Sequence, residues 1–498
     1  MQEKLICVVN FIKREVRIKK IMTILLFLTF SGIYLLVEAN LKSISEIPFI
    51  DPFGEELSRN NEWINMNPDN PPFPRWSYGM TYDSGNNVCI VFGGQDGQQE
   101  FDDTWVYNFN ENEWTNMNPV LSPPSRFAHR MVYNCVDSIV VLFGGVSAYE
   151  RGFVYNDTWT YNFTINQWIE MSPTQSPPAR AYLGMDYNES ENVVVLFGGY
   201  NYLTYQWFSD TWIYNFSENT WTNMNPSPNP GYRNNLGMTY DKTNDVIILF
   251  GGWYSTSMLG DTWIYNLNTN EWTDMNPVSA PPPIYQHGMT YDIINSKAVV
   301  FGGFFHDTMT YSNSTWVYDL STNNWENPQP ATYPPARGKH RLVYDNNNHN
   351  VVLFGGFPGG PPYNDTWIYV PPYPDIEVYP ESLLFVTDES LSDSITIENS
   401  GTSDLNIFEI NYSEPWIISI EPISFSISPN DSTFVTIVVN GEGLLEGEYI
   451  DCLSILSNDP DEPEIDLPVT LQVPTGVDEE LTNPSNDLFL YQNYPNPF

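Results

Sequence analysis

Four short segments recur in a fixed order along residues 57–370, and their hydrophobic patterns are those of β-strands. The first opens on Arg and ends on Tyr, as in RWSYGMTY. The second is a continuous apolar run such as VVVLFGG, which is typical of a strand buried on both faces. The third, exemplified by DTWIYNF, alternates and places its Trp and Tyr on one side. The fourth, such as NEWTNMNP, ends at a proline, which cannot extend a ladder. Each unit is therefore predicted to be a small four-stranded sheet.

The four-segment unit occurs six times. Glycine pairs close the second segment and recur about every fifty residues. These pairs are Gly93-Gly94, Gly144-Gly145, Gly198-Gly199, Gly251-Gly252, Gly302-Gly303 and Gly355-Gly356. They fit a position where the chain turns and another backbone comes close, because glycine has no Cβ. Since each unit needs a neighbour to bury its faces, six units predict either an open stack or a closed ring.

The two ends of the repeat array decide between a stack and a ring. The sixth unit stops at Tyr369 without a fourth strand, whereas Trp63 lies in a fourth-strand sequence, NEWINMNP, before the first unit. An open stack would leave exposed edges at both ends, and such edges invite aggregation. If the strand that carries Trp63 completes the sixth sheet, the ring closes. The prediction is an all-β, six-bladed β-propeller over residues 57–370, closed by an N-terminal strand.

These repeats resemble the Kelch family, particularly propellers of the attractin and muskelin type. The resemblance rests on the glycine pairs, on the Arg that opens the first strand and on five Trp-x-Tyr…Trp sets. The sets are Trp105/Tyr107/Trp114, Trp159/Tyr161/Trp168, Trp212/Tyr214/Trp221, Trp263/Tyr265/Trp272 and Trp316/Tyr318/Trp325. The fifth unit departs from the pattern, with Ile284 at the Arg position and Ser314 in place of Asp before Thr315. That departure predicts weaker local pairing in one blade.

The first 39 residues differ from the rest in charge and hydrophobicity. The apolar run over residues 21–37 is followed by Ala39 and preceded by five basic residues, Lys13, Arg14, Arg17, Lys19 and Lys20. This arrangement predicts a secretory signal peptide over residues 1–39 and a linker over residues 40–56, with a membrane anchor as the alternative. We therefore expect a secreted or cell-surface protein with no membrane span after cleavage.

The charge of the chain excludes two classes of partner. Residues 1–39 hold six of the 19 Lys and Arg but only three of the 61 Asp and Glu, so the remaining chain has a net charge of −45. A surface this acidic repels nucleic acid and anionic lipid. We expect neither to be a partner.

The pattern changes after the segment VPPYP. Short β-branched runs separated by turn residues occupy residues 375–473 and predict an antiparallel β-sandwich. Segments such as ITIENSGTSDLNI and GEYIDCLSILSNDP resemble immunoglobulin-like modules related to abnormal-spindle and hydin domains. That resemblance implies a spacer of the kind found in bacterial surface proteins. One acidic stretch either holds calcium or forms a solvated hairpin: Asp459, Asp461, Glu462, Glu464 and Asp466.

A polar linker over residues 474–487 leads to the sequence LFLYQNYPNPF. The segment QNYPNPF resembles the opening of the type A C-terminal sorting domain of the type IX secretion system in Bacteroidetes-like bacteria. Residues 488–498 are therefore expected to be the start of a truncated sorting domain. The resemblance implies the type IX secretion machinery as a partner.

The sequence contains no nucleophile elbow, phosphate loop or zinc motif. His129, His287 and His340 share one first-strand position near the expected channel, which suits either packing or a metal site. A bridge between Cys89 and Cys135 is one option for the thiols. We expect no cofactor and no metal.

The repeat arginines allow a structural and a functional interpretation. They are Arg75, Arg126, Arg180, Arg233 and Arg337. In the structural interpretation each Arg pairs with the Asp of a neighbouring strand; in the functional one, a ring of Arg grips an anionic sugar, as in six-bladed sialic-acid epimerases. Copper enzymes related to galactose oxidase have a seven-bladed ring and a Cys–Tyr crosslink, which this sequence does not match.

Loops that join strands two and three are predicted to share one face with the proline-rich loops between units. The former vary in length and are rich in aromatic residues, among them Tyr200, Phe304 and Phe357. Function concentrates in such loops on a rigid scaffold, and exposed rings stack on sugars or anchor a protein. The candidate ligand-binding residues are Tyr155, Tyr202, Tyr205, Trp207, Trp253, Tyr254, Phe305 and Tyr363.

These loops predict an exported, non-catalytic binding or adhesion module that recognises a polysaccharide or an extracellular protein. Two alternatives stay open. One is a carbohydrate-active enzyme, either epimerase-like or oxidase-like, and the other is a passive structural protein of the envelope.

Overall fold

The computed structural model describes residues 61–148, 152–459 and 462–474. These residues fall into two compact units, which separate at residues 373 and 374. Within the described ranges every regular element is a β-strand, and no helix is long and apolar enough to cross a membrane. The predicted signal peptide, both predicted linkers apart from residue 474, and the predicted sorting segment lie outside the described residues.

The first unit consists of six four-stranded sheets, or blades. Strand β1 (Glu62–Asn65) precedes blade one, which holds β2 (Gly79–Asp83), β3 (Val88–Phe92), β4 (Thr104–Asn108) and β5 (Glu113–Asn116). Blade two holds β6 (Arg130–Asn134), β7 (Ile139–Phe143), β10 (Thr158–Asn162) and β11 (Gln167–Met171), with the hairpin of β8 (Val146–Ser147) and β9 (Phe153–Val154) inserted. Blade three holds β12 (Gly184–Asn188), β13 (Val193–Phe197), β16 (Thr211–Asn215) and β17 (Thr220–Asn223), with the hairpin of β14 (Tyr200–Asn201) and β15 (Gln206–Trp207) inserted.

The remaining blades repeat this arrangement. Blade four holds β18 (Gly237–Asp241), β19 (Val246–Tyr254), β20 (Ser257–Asn266) and β21 (Glu271–Asp274). Blade five holds β22 (Gly288–Asp292), β23 (Lys297–Phe301), β26 (Thr315–Asp319) and β27 (Asn324–Glu326), with the hairpin of β24 (Phe304–Phe305) and β25 (Thr310–Tyr311) inserted. Blade six holds β28 (Arg341–Asp345), β29 (Asn350–Gly356) and β30 (Tyr363–Val370).

The N-terminal strand supplies the fourth strand of blade six. β1 pairs antiparallel with β30, and Trp63 lies opposite Tyr369. In each blade the fourth-strand Trp donates its Nε1–H to a Thr hydroxyl of the preceding blade at 2.9 Å, and Trp63 makes this bond to Thr315. All six of these indoles are almost completely buried, where a ring contributes both apolar area and a satisfied donor. The predicted closure of a six-bladed propeller is confirmed.

A second ring of hydrogen bonds surrounds the central channel. One residue just before the first strand of each blade donates its backbone N–H to the carbonyl oxygen of its counterpart in the preceding blade, at 2.6–3.0 Å. The six residues are Ser77, Ala128, Tyr182, Asn235, Gln286 and Lys339, all with φ between 52° and 64°. This closed ring of hydrogen bonds fixes the radius of the channel at the end where the first strands begin.

The glycine pairs allow close contact between neighbouring blades. Gly93 has a φ of 65°, and a Cβ on it would lie 2.7 Å from the carbonyl oxygen of Arg126 in blade two. The expectation that another backbone comes close at these glycines is therefore correct, because only a residue without a Cβ leaves room for that carbonyl group.

The second unit is a β-sandwich. One sheet has the order β31-β33-β37-β35 and contains β31 (Ile376–Tyr379), β33 (Ser390–Asn399), β35 (Ile417–Glu421) and β37 (Ser432–Asn440). The other has the order β32-β39-β38-β34-β36 and contains β32 (Leu383–Val386), β34 (Leu405–Asn411), β36 (Phe425–Ile427), β38 (Gly447–Ser457) and β39 (Glu464–Val473). Both sheets contribute to one core, which includes Phe385, Ile397 and Leu467.

The prediction of an antiparallel sandwich is wrong for one strand pair. β32 and β39 run parallel, with Leu383 opposite Val469. An alternating pattern specifies which side chains face the core but not the direction of the partner strand, so the sequence could not reveal this pairing.

Candidate functional site

The repeat arginines each stabilise a blade from within. Each of the five is almost fully buried and forms a bidentate ion pair with the Asp that directly precedes the third-strand Thr, with shortest N–O distances of 2.5–2.8 Å. Each guanidinium also donates to the carbonyl oxygen of the first glycine in its glycine pair. The pairs are Arg75–Asp103, Arg126–Asp157, Arg180–Asp210, Arg233–Asp261 and Arg337–Asp365. The structural interpretation applies, because bonds within each blade already occupy these guanidinium groups.

Blade five lacks both members of this ion pair. Ile284 is buried at the Arg position, and Ser314 replaces the Asp. Because both charged groups are missing together, neither is left buried and unpaired.

Two of the predicted ligand-binding residues cover these arginines. The ring of Tyr155 lies 4.0 Å from the Arg126 guanidinium carbon, and that of Tyr363 lies 4.2 Å from the corresponding atom of Arg337. Phe101 and Phe208 occupy the same place over Arg75 and Arg180. Such cation–π contacts stabilise a desolvated guanidinium, so one face of each Tyr ring is already in use.

A cluster of four aromatic residues spans blades three and four. Trp207 lies 4.5 Å from Tyr200 across the β14–β15 hairpin and 5.2 Å from Tyr254, measured between ring centroids. Tyr232 stacks on Tyr254 at 5.6 Å. We call Tyr200, Trp207, Tyr232 and Tyr254 the aromatic patch. Tyr232 and Tyr254 are 49% and 40% exposed, so the patch is accessible to a partner.

Tyr232 was not predicted as part of the site. It directly precedes Arg233, in a loop that joins two blades, whereas the candidates all came from loops between strands two and three. Both kinds of loop share one face. An aromatic residue directly before the repeat Arg is therefore a sequence feature that could have placed Tyr232 in the site.

The other four candidates occupy different surroundings. Tyr205, at the tip of the β14–β15 hairpin, is 79% exposed and close in sequence to Trp207. Tyr202 packs against the small cluster of Phe127, Ala128, Val146 and Ala181. Trp253 lies between Tyr285 and His306, each 4.9 Å away. Phe305 packs on the core between blades four and five. Of the eight candidates, Trp207 and Tyr254 are in direct contact with each other.

Comparisons with known proteins agree with this architecture. A family model of the KLHDC2/KLHL20/DRC7 Kelch-repeats domain matches residues 57–240, and the attractin/LZTR1 β-propeller model matches residues 194–366. The first unit is a Kelch-repeat β-propeller. Kelch domain-containing protein 10 of Xenopus laevis is 27% identical over 240 residues, which is 45% of this chain and 55% of the frog protein. The chain thus spans about half the length of that relative.

A plant relative and a solved structure are also similar to this chain. The F-box/kelch-repeat protein At1g51550 of Arabidopsis thaliana is 24% identical over 334 residues, covering 58% of this chain and 67% of the plant protein. The solved structure of YjhT aligns with 60% of this chain and 95% of its own length, at 16% identity and a TM-score of 0.49.

The three first-strand histidines of the Kelch propeller are packed against aromatic rings. His129, His287 and His340 are buried and lie 5.5–5.6 Å from Phe92, Phe250 and Phe301 respectively. Burial lowers the pKa of His287 to about 3, so its imidazole is neutral at physiological pH. In the part of the chain that the structure describes, no three His, Cys, Asp or Glu side chains are grouped to hold a metal ion.

The thiols of the Kelch propeller are not bridged. Cys89 and Cys135 are both free, so the suggested Cys89–Cys135 disulfide is wrong. Cys89 lies in the buried core between blades one and six, whereas Cys135 packs at the junctions of blade two with its neighbours.

Proposed function

We propose that the Kelch propeller is a non-catalytic module that binds a protein partner through the aromatic patch. Kelch propellers are typically protein-binding modules, and the match to the two Kelch family models supports this class of function. The observation that carries the proposal is the contact of the half-buried Trp207 with the exposed Tyr254 and, through it, Tyr232 across two blades. Large aromatic residues at an accessible surface are the side chains that most often anchor a protein interface.

The orientation of the rings favours a protein over a polysaccharide. Trp207 meets Tyr254 edge to face at 85°, and Tyr232 covers one face of Tyr254. A sugar chain stacks best on coplanar rings with free faces, whereas protein side chains fit between rings of mixed orientation. A polysaccharide is the second candidate ligand, because the half-exposed ring of Tyr232 is accessible to a sugar.

The cellular setting is also part of the proposal. The predicted signal peptide at residues 1–39 and the sorting-domain resemblance at residues 488–498 support export through the type IX secretion machinery to the cell surface or beyond. The β-sandwich would then act as an immunoglobulin-like spacer. The partner would in that case be an extracellular protein.

Site-specific photo-crosslinking tests the proposal. A photoreactive amino acid is placed at Tyr254, or at the control position Ile165, which is 62% exposed in the β10–β11 turn on the opposite face. We expect a discrete crosslinked protein from position 254 in surface extracts of the native cells, and none from position 165. Excess unlabelled chain should compete, whereas a W207A/Y232A/Y254A chain should not.

Two results would contradict the proposal. The triple variant could compete as well as the natural chain, or both positions could crosslink the same proteins. Affinity electrophoresis against a polysaccharide panel is the parallel measurement. Retardation by one glycan that the triple variant abolishes would assign the patch to polysaccharide, and turnover of that glycan would favour a carbohydrate-active enzyme. No ligand of either kind would favour a passive structural role in the envelope.

A further inference from the structure

The central channel contains a cavity of 310 Å³ at the end opposite the aromatic patch. The ring of backbone hydrogen bonds narrows the channel just before the first strands begin. From there the lining runs along the first strands to Glu189 and Lys242, whose side chains are 39% and 51% exposed. The cavity therefore opens on the face that carries the turns between strands one and two. It is separate from the proposed protein-binding surface.

Two arginines line the cavity without a carboxylate partner. Arg130 donates from Nη2 to the carbonyl oxygen of Leu236, two blades away, at 3.1 Å, and its buried Nη1 has no acceptor. Arg341 donates from Nη1 to the carbonyl oxygen of His340 at 3.1 Å, and its buried Nε has no acceptor. Within the described ranges neither guanidinium forms a salt bridge, unlike the five repeat arginines.

The propeller does not need an arginine at this position to fold. Arg130 and Arg341 begin the first strands of blades two and six, and four other blades have glycine there: Gly79, Gly184, Gly237 and Gly288. Burying a cation without a counter-ion is costly, and burial lowers the pKa of Arg341 to about 10. Both arginines line the cavity, so an anion bound there would accept hydrogen bonds from their guanidinium groups.

The charges inside the cavity set the charge of the ligand. Besides the two arginines, the inner lining contains Asp186, which accepts backbone hydrogen bonds from Tyr187 and Tyr240 at 2.8 and 2.6 Å. At the mouth, Glu189 and Lys242 form an ion pair with each other. Two guanidinium groups and one carboxylate leave a single positive charge, which matches one carboxylate better than a phosphate dianion. We propose that the channel binds a small organic monocarboxylate through Arg130 and Arg341.

The rest of the lining suits such a ligand. First-strand methionines and Leu342 provide an apolar wall, and Thr81 and Thr290 contribute hydroxyl groups. The volume is at the lower end of the range for small-molecule sites, which excludes a folded partner. A guanidinium binds a carboxylate through charge-assisted hydrogen bonds in a fixed geometry.

Thermal shift and calorimetry with the full chain test the proposal. The probes are hexanoate and gluconate, with hexanol and glucose as neutral analogues and inorganic phosphate as the competing anion. We expect a carboxylate to bind and to raise the melting temperature, whereas its neutral analogue does not. R130G and R341G, which copy the glycine of the other blades, should each weaken binding roughly tenfold. K297Q removes a positive charge away from the cavity and should bind like the natural chain.

The melting temperature without ligand shows whether the two arginines serve ligand binding or stabilise the fold. If the arginines serve a ligand, R130G and R341G should melt no lower than the natural chain, because a buried unpaired charge is removed. The proposal is overturned if neither carboxylate binds, if phosphate alone binds, or if the R130G/R341G chain binds as before. It is also overturned if both variants unfold at clearly lower temperature, and R341K, which keeps the charge, regains stability without regaining carboxylate binding.

Discussion

Arg180 and Asp210 form one of the five buried ion pairs, and blade five shows what replaces such a pair when both members are absent. In the Arg180→Ile variant Asp210 would lose its guanidinium, and the carbonyl oxygens of Pro178 and Gly198 would lose a donor. We expect the free energy of unfolding to fall by about 3 kcal/mol. The R180I/D210S chain, which copies Ile284 and Ser314, should lose less, because no charge is left unpaired.

Chemical denaturation of R180I, D210S, the double variant and the natural chain gives the coupling energy for this pair. The K297Q chain is the control for loss of one positive charge. A double variant that is less stable than R180I would show that the ion pair is not the interaction that matters at these positions.

Asp186 gives the Kelch propeller a defined pH response. Burial raises the pKa of its carboxyl from 3.8 to about 6. Because the folded chain then holds this proton more tightly than the unfolded chain, its contribution to stability is full below pH 3.8 and declines as the pH rises through 6. The difference in free energy of unfolding between the natural chain and D186N should therefore fall by at most about 3 kcal/mol between pH 4 and pH 7. Denaturation at each pH measures it, with the exposed Glu218→Gln as control, and a flat or rising difference would be evidence against a raised pKa.

At the scale of the element, β1 closes the ring in place of a missing C-terminal strand. Trp63 packs 4.7 Å from Phe301 and bonds to Thr315, as Trp168 packs 5.0 Å from Phe92 and bonds to Thr104. Replacing either Trp by Ala should therefore cost about the same, in the range of 3–5 kcal/mol. Thermal and chemical unfolding of W63A and W168A provides the comparison. If W63A lost only a small fraction of what W168A loses, β1 would be a dispensable edge strand.

The sequence predicts some elements well and others poorly, for physical reasons. The blades and their closure follow from a repeat whose aromatic and glycine positions each have one geometric role, as Trp63 and Gly93 show. Contacts between blades are different. Trp207 meets Tyr254, and Arg130 reaches Leu236, only because the ring brings loops and strands of separate blades together. A pattern within one unit contains no information about those pairs.

The two units of the molecule differ in their charge. No Lys or Arg follows Arg341, so the sandwich carries acidic side chains without a single basic residue to balance them. Its buried Asp459 accepts backbone hydrogen bonds from Ile376 at 2.7 Å and from Glu462 at 3.0 Å, so this carboxylate already has a structural role. The remaining acidic groups repel one another at low ionic strength, because the Debye length is then long.

We therefore expect the melting temperature of the full chain to rise with salt, and the sandwich transition to rise more than the propeller transition. Differential scanning calorimetry from about 0.01 to 1 M NaCl measures this effect, since the Debye length falls from roughly 30 to 3 Å over that range. Calcium chloride and magnesium chloride at matched ionic strength distinguish screening from a bound ion. Equal effects of all three salts would mean general screening of a solvated acidic surface. A larger rise with calcium alone, removed by chelator, would instead place a calcium site among the acidic residues near Asp459.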